Sequence, residues 1–236
     1  GLALVNIAQP YKKSGMMLTC LKESGIKTPA DFPGHTLGVW FFGNEYPFLS
    51  WMSHLGIPTD GGDKGVTVLK QGFNVDPLLQ HQADCISVMT YNEYGQVLDA
   101  GIKPDQLVTF NYLKEGVGML EDGLYVLGPK LKDPKFKADM VKFVRASMEG
   151  WKWAVAHPDE AAKIVLDNDT SGAQTLKHQE YMMHQVAKLI GNGPLDVEPY
   201  KETVPTLLSA ASPPNPPTPP PPDAARPHAP HDAAPP

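Results

Sequence analysis

The chain has 236 residues, a net charge of −6 and 42% apolar side chains. With no basic block against that acidic balance, a nucleic acid is excluded as a partner. The longest apolar stretches, Gly15–Leu21, Leu37–Phe42 and Gly123–Leu127, are far too short to span a bilayer.

Short apolar runs alternate with helical patterns through the first half, which predicts an α/β fold with a parallel, helix-covered sheet. Leu2–Ile7 and Gly15–Leu21 read as strands, punctuated by turns at Ser14-Gly15 and Glu23-Ser24-Gly25. Leu2–Ile7 reads as a buried strand with nothing before it to pair with, so earlier residues of the fold are expected to be missing. Thr36–Trp40 is a further strand, followed by a glycine-containing turn and a helix through about Leu55. The apolar positions of that helix, Phe48, Leu49, Trp51, Met52 and Leu55, repeat at helical spacing. Strands follow at Val66–Leu69, Asp84–Met89 and Gln106–Phe110, with helices at Pro77–His81 and Tyr91–Leu98.

The pattern then changes. Met119–Leu127 reads as a strand, and Asp133–Ala156 as a long helix capped by Asp133 with Pro134 at its first position. Helices are expected at Pro158–Leu166, Thr175–Ile190 and Glu198–Leu208. A strand-rich middle followed by a helix-rich end suits a second lobe inserted into a first lobe that the C-terminal helices complete. From Ser209 to Pro236 the chain holds 12 prolines and almost no large apolar side chain. That composition predicts a disordered, solvated tail, either a natural linker or tail or an out-of-frame or vector-derived end.

Cys20 and Cys85 lie in apolar surroundings at a spacing that matches no metal or redox motif. Two buried thiols are the plain reading and a single disulfide the alternative. The eight histidines are scattered singly. Nucleophile-elbow, P-loop, dinucleotide-binding and zinc-protease motifs are absent from the sequence, so no catalytic residue and no metal ligand is assigned.

Three places carry binding chemistry. Trp40-Phe41-Phe42-Gly43-Asn44-Glu45 follows a strand and opens a helix, where ligands of such sheets meet free backbone N–H groups. Gly43 admits close backbone approach, and Asn44 suits the N-cap. Tyr91 and Asn92 also follow a strand, and an aromatic beside an amide and an acid fits a flat heterocycle. Glu121 and Asp122 interrupt an apolar run that ends at Tyr125. Acids within a strand are costly unless paired or used, and a carboxylate there offers a two-pronged acceptor to an amino group and a ring N–H. Each segment also has a bland reading, as a capped helix, an exposed helix start and a solvated edge strand.

At these same places the chain resembles a known family. Gly38-Val39-Trp40-Phe41-Phe42-Gly43-Asn44-Glu45-Tyr46 and Leu120-Glu121-Asp122-Gly123-Leu124-Tyr125 look like the solute-binding proteins of bacterial ABC importers for thiamine pyrimidine precursors. Leu4-Val5-Asn6-Ile7-Ala8-Gln9, Ser14-Gly15-Met16-Met17 and His157-Pro158-Asp159-Glu160-Ala161 support the resemblance, which covers about Leu2 to Leu208. It implies a type II periplasmic-binding-protein fold, with two doubly wound lobes, a hinge and an incomplete first lobe. Residues 1–21 would end lobe one and cross the hinge, residues 22–110 would form lobe two, and residues 111–208 would return to lobe one. The ligand would sit between the lobes, and the implied partners are a small pyrimidine and an importer permease, in the periplasm or otherwise outside the cytoplasm. The same superfamily contains the fungal thiamine pyrimidine synthase, a cytoplasmic alternative that implies pyridoxal phosphate and iron. Its cysteine-rich hallmark corresponds to Gly116-Val117-Gly118-Met119-Leu120-Glu121-Asp122, which holds no cysteine, so binding without any cofactor is favoured over synthesis.

Overall fold

The computed structural model describes residues 2–210. In chain order the strands and helices are β1 Leu4–Tyr11, β2 Met16–Leu21, β3 Thr36–Val39, α1 Tyr46–Leu55, β4 Thr67–Lys70, α2 Asp76–Leu79, β5 Cys85–Met89 and α3 Glu93–Asp99. There follow β6 Leu107–Asn111, β7 Leu124–Leu127, α4 Pro134–Ala156, α5 Pro158–Asp167, α6 Leu176–Val186, β8 Ile190–Gly193 and α7 Val197–Ser209. The chain divides into two units, one of residues 2–13 with Leu120–Lys201, the other of Ser14–Met119 with residues 202–210. The proline-rich tail expected from Ser209 lies, beyond Ala210, outside the described residues.

The second unit is built on a five-stranded sheet in the order β4-β3-β5-β2-β6. Here β3 runs parallel to β4 and β5, whereas β2 is antiparallel to β5 and β6, so the sheet is mixed rather than parallel. All six residues of β2 are buried, which explains its unbroken apolar sequence: both faces are covered. Leu18 and Cys20 point into a cluster with Phe48, Trp51 and Met52 of α1, together with Phe32 and Phe110. Met17 and Leu21 point the other way, toward Leu78 of α2 and Val97 of α3. In the register of β2 on β5, Cys20 stands directly opposite Cys85. The two form a disulfide, so the expectation of two separate thiols is corrected by strand pairing that spacing could not show.

The first unit holds a three-stranded antiparallel sheet in the order β7-β1-β8. Ile7 and Ala8 of β1 pack against Val144 of α4, with Met140 and Met148 alongside. Asp133 caps α4 as expected, its carboxylate accepting the Lys135 N–H at 2.9 Å. Two elements differ from the sequence expectation. The strand expected over Met119–Leu127 begins only at Leu124, because Asp122 adopts a left-handed φ of 47° that ends extended pairing. The helix expected to reach Ile190 ends at Val186, and Ile190–Gly193 pairs with β1 as β8. The boundaries also move: β2 belongs to the five-stranded sheet, so the chain leaves the first unit after Lys13 rather than after Leu21, and returns to it at Leu120 rather than at residue 111.

Candidate functional site

In the second unit the first two candidate segments follow β3 and β5, at the carboxyl ends of parallel strands. Trp40 is no open platform. Its side chain is only 3% exposed, and its indole N–H donates to the Gly72 carbonyl at 3.0 Å, tying the loop after β3 to the loop after β4. Phe42, at φ 65° and 89% exposed, is the ring this turn presents, and the Lys70 ammonium lies 4.9 Å from its centre.

Gly43 has a φ of 109°, as its expected role requires, but Asn44 is not the cap. Glu45 occupies the N-cap of α1, and its carboxylate turns back to accept the Gly43 N–H at 2.7 Å, while the Asn44 amide donates to the Phe41 carbonyl at 3.4 Å. The reason is local: a carboxylate two residues after a left-handed glycine reaches the glycine N–H more directly than it reaches the first helical turn.

Beyond β5, the Asn92 amide donates to Glu93 at 2.7 Å and accepts from Gln96 at 3.3 Å. Glu93 is buried and accepts the Met89 N–H at 2.9 Å, so this acid braces the strand end. Tyr91 beside them is half-buried. A groove of about 510 Å³ in the same unit, lined by Leu21, Glu23, Leu78, His81 and Ile102 among others, contains none of the candidate residues.

The third segment belongs to the first unit. Glu121, Asp122 and Gly123 form a strap over β1 ahead of β7. The Gln9 amide of β1 donates to the Glu121 carbonyl oxygen, and Tyr125 is exposed on β7. Tyr11, at the end of β1, is buried edge-on against Trp151 at 5.8 Å. Burial pushes its phenol up to about 12, and the negative charges of Asp122 and then Glu121 add to the rise. The Asp122 carboxyl is raised as well, by partial loss of hydration. The charges of Asp122 and Glu121 thus reach the Tyr11 phenol at the end of β1. Sequence reading singled out the acids as candidates and passed over Gln9 and Tyr11, which look like ordinary strand residues until β1 and the strap are brought together.

A family model described as NMT1/THI5 like matches residues 1–161. The chain belongs to this family. It is 26% identical over 171 residues to the formylaminopyrimidine-binding protein of Halalkalibacterium halodurans, a match covering 71% of this chain and 49% of that protein. The chain thus spans about half the length of that curated relative. Among solved structures it is similar to a protein of Bordetella bronchiseptica RB50, with a TM-score of 0.67 at 15% identity, covering 95% of this chain and 72% of that one. The periplasmic aliphatic sulphonate binding protein of Escherichia coli gives 0.59 at 15% identity, covering 86% of this chain and 66% of that one. The periplasmic-binding-protein fold expected of this NMT1/THI5-like chain is the fold of these neighbours. No helix of the described residues is long and apolar enough to cross a membrane.

Proposed function

We propose that this chain is the solute-binding part of an ABC importer, and that its cargo is a pyrimidine precursor of thiamine of the hydroxymethylpyrimidine or formylaminopyrimidine class. The observation that carries the reading is the strap that bears Glu121 and Asp122, laid over β1 with the Gln9 amide on the Glu121 carbonyl and Gly123 against Asn6 and Gln9. A carboxylate accepts from the exocyclic amino group of an aminopyrimidine, and from the neighbouring ring nitrogen when that nitrogen is protonated. The relative from Halalkalibacterium halodurans, named for a formylaminopyrimidine, supports the same class. Gly43, Asn44, Glu45, Tyr91 and Asn92 of the second unit, and Tyr125 of the first, are each proposed as ligand-binding residues. Trp40 is proposed to act through the loop it ties rather than by stacking. The proposed partner is the importer's permease and the proposed location extracytoplasmic, with which the Cys20–Cys85 disulfide is in keeping.

The synthase alternative implies iron. Among the described residues no three His, Cys, Asp or Glu side chains gather into a metal-binding set, and both cysteines are joined to each other. These residues do not fit that metal, and no step is derived through it.

Calorimetric titration of the full-length protein with hydroxymethylpyrimidine tests the proposal. Glu121→Gln and Asp122→Asn each remove a charged acceptor, so at least one should weaken binding by about 10- to 150-fold. Unchanged affinity in both variants would remove the strap from the site.

A further inference from the structure

We infer that Gln9 is the positioning residue of the acid-bearing strap, setting the strength and selectivity of ligand binding without touching the ligand. The inference rests on the proposed role of Glu121 and Asp122.

Gln9 lies in β1, where a long amide would ordinarily face solvent. It is only 1% exposed, and Asn6 beside it only 6%. In a regular strand, residues three apart point to opposite faces. Here the β1–β7 register shifts between Asn6 and Ala8, and this irregularity brings the two amides together, with Asn6 Nδ2 donating to Gln9 Oε1 at 2.9 Å. Gln9 Nε2 then spends both its hydrogens on backbone carbonyls: that of Tyr11 at 3.0 Å, and that of Glu121.

Those two carbonyls flank the places where the chain leaves and re-enters the first unit. Tyr11 is near the exit after Lys13, and Glu121 follows the return at Leu120. A single side-chain amide therefore ties the outgoing strand to the returning strap. At the strap's other end, a Cβ on Gly123 would lie 2.6 Å from both Asn6 Nδ2 and Gln9 Oε1, so the backbone rests directly on the amide pair. Between these two fixed points Asp122 is held at its left-handed φ of 47°. A non-glycine residue keeps that conformation when its surroundings over-determine it. The directions of the Glu121 and Asp122 carboxylates thus follow from where Gln9 holds the strap.

The test uses the full-length protein and two ligands: hydroxymethylpyrimidine with its 4-amino group, and the 4-oxo counterpart, in which a donor becomes an acceptor. Gln9→Met keeps length and bulk while removing both donors. Wild-type protein is expected to prefer the amino ligand by about 10- to 100-fold. In Gln9→Met that preference should fall by at least about fivefold, with the affinity for the oxo ligand nearly unchanged. A purely structural role would weaken both ligands together and leave the ratio alone; an unchanged ratio overturns the inference. Gly123→Ala, which pushes the strap off the same amide pair, should lose the same preference and serves if Gln9→Met does not fold. A wild-type protein that binds neither ligand overturns both this inference and the pyrimidine reading. One that discriminates, with variants that discriminate equally, overturns this inference alone.

Discussion

Single residues decide the local geometry here, and Tyr11 gives the sharpest consequence. Its phenol is raised to about 12 by burial, then by the charges of Asp122 and Glu121. The folded state therefore keeps a proton that the unfolded chain releases near pH 10. Above pH 10 the native state binds more protons than the unfolded state, so stability falls as pH rises toward 12; below pH 10 the contribution is fully present. Unfolding free energies from urea titrations at pH 9 to 12 should fall more steeply for wild type than for Tyr11→Phe, by about 2 kcal/mol over the window. Tyr112, also buried and raised, acts alike in both proteins and drops out of the difference. Parallel curves would mean that Tyr11 ionises freely in the folded protein. The acids stood out in the sequence as candidates, because two carboxylates in an apolar run have few inexpensive explanations. The details around Gly43 were not legible: an Asn and a Glu are adjacent there, and only the φ of 109° at Gly43 decides that Glu45 turns back to it.

At the scale of elements, periodicity located most strands and helices but could not assign their partners. β2 reads as an apolar run in any buried sheet, and nothing in it says that it lies antiparallel to β5 with Cys20 facing Cys85. β8 escaped notice because Ile190-Gly191-Asn192-Gly193 has little intrinsic strand preference and exists through its pairing with β1. The cross-strand disulfide closes a separation of 65 residues within the second unit. Loss of such a bond typically costs about 2–5 kcal/mol. Reduction should therefore lower the melting temperature of the second unit by about 10 °C or more in scanning calorimetry. A Cys20→Ala, Cys85→Ala double variant should match the reduced protein and show no response to reductant. Two titratable thiols in untreated, unfolded protein, with no effect of reductant, would return the cysteines to the plain reading.

For the whole molecule, the α/β class and the division into two units were legible because strand-rich and helix-rich stretches succeed each other in the sequence. The expectation of parallel sheets failed in the first unit, whose sheet is antiparallel, since alternation of element types says nothing about strand direction. The two units also differ in how they are consolidated. The sheet of the second unit carries apolar clusters on both faces and a disulfide between its strands β2 and β5. In the first unit the apolar cluster engages β1 through Ile7 and Ala8, and the strap is held through the amides of Asn6 and Gln9. Amide groups exchange with solvent through local or global opening, and regions with more buried apolar contact open less often. Hydrogen exchange of the intact protein should therefore find the slowest amides in β2 and β5, such as Leu18 and Ile86, each fully buried. Amides of β7 and β8, short strands flanking β1 in the three-stranded sheet, should exchange faster by about two orders of magnitude or more, corresponding to about 3 kcal/mol in opening free energy. Saturating hydroxymethylpyrimidine should slow exchange at the strap, Leu120 to Gly123, because a ligand stabilises those openings that break its own contacts. Equal protection in both sheets would show that the units open as one. Protection that rises everywhere except at the strap would mean that the ligand binds elsewhere.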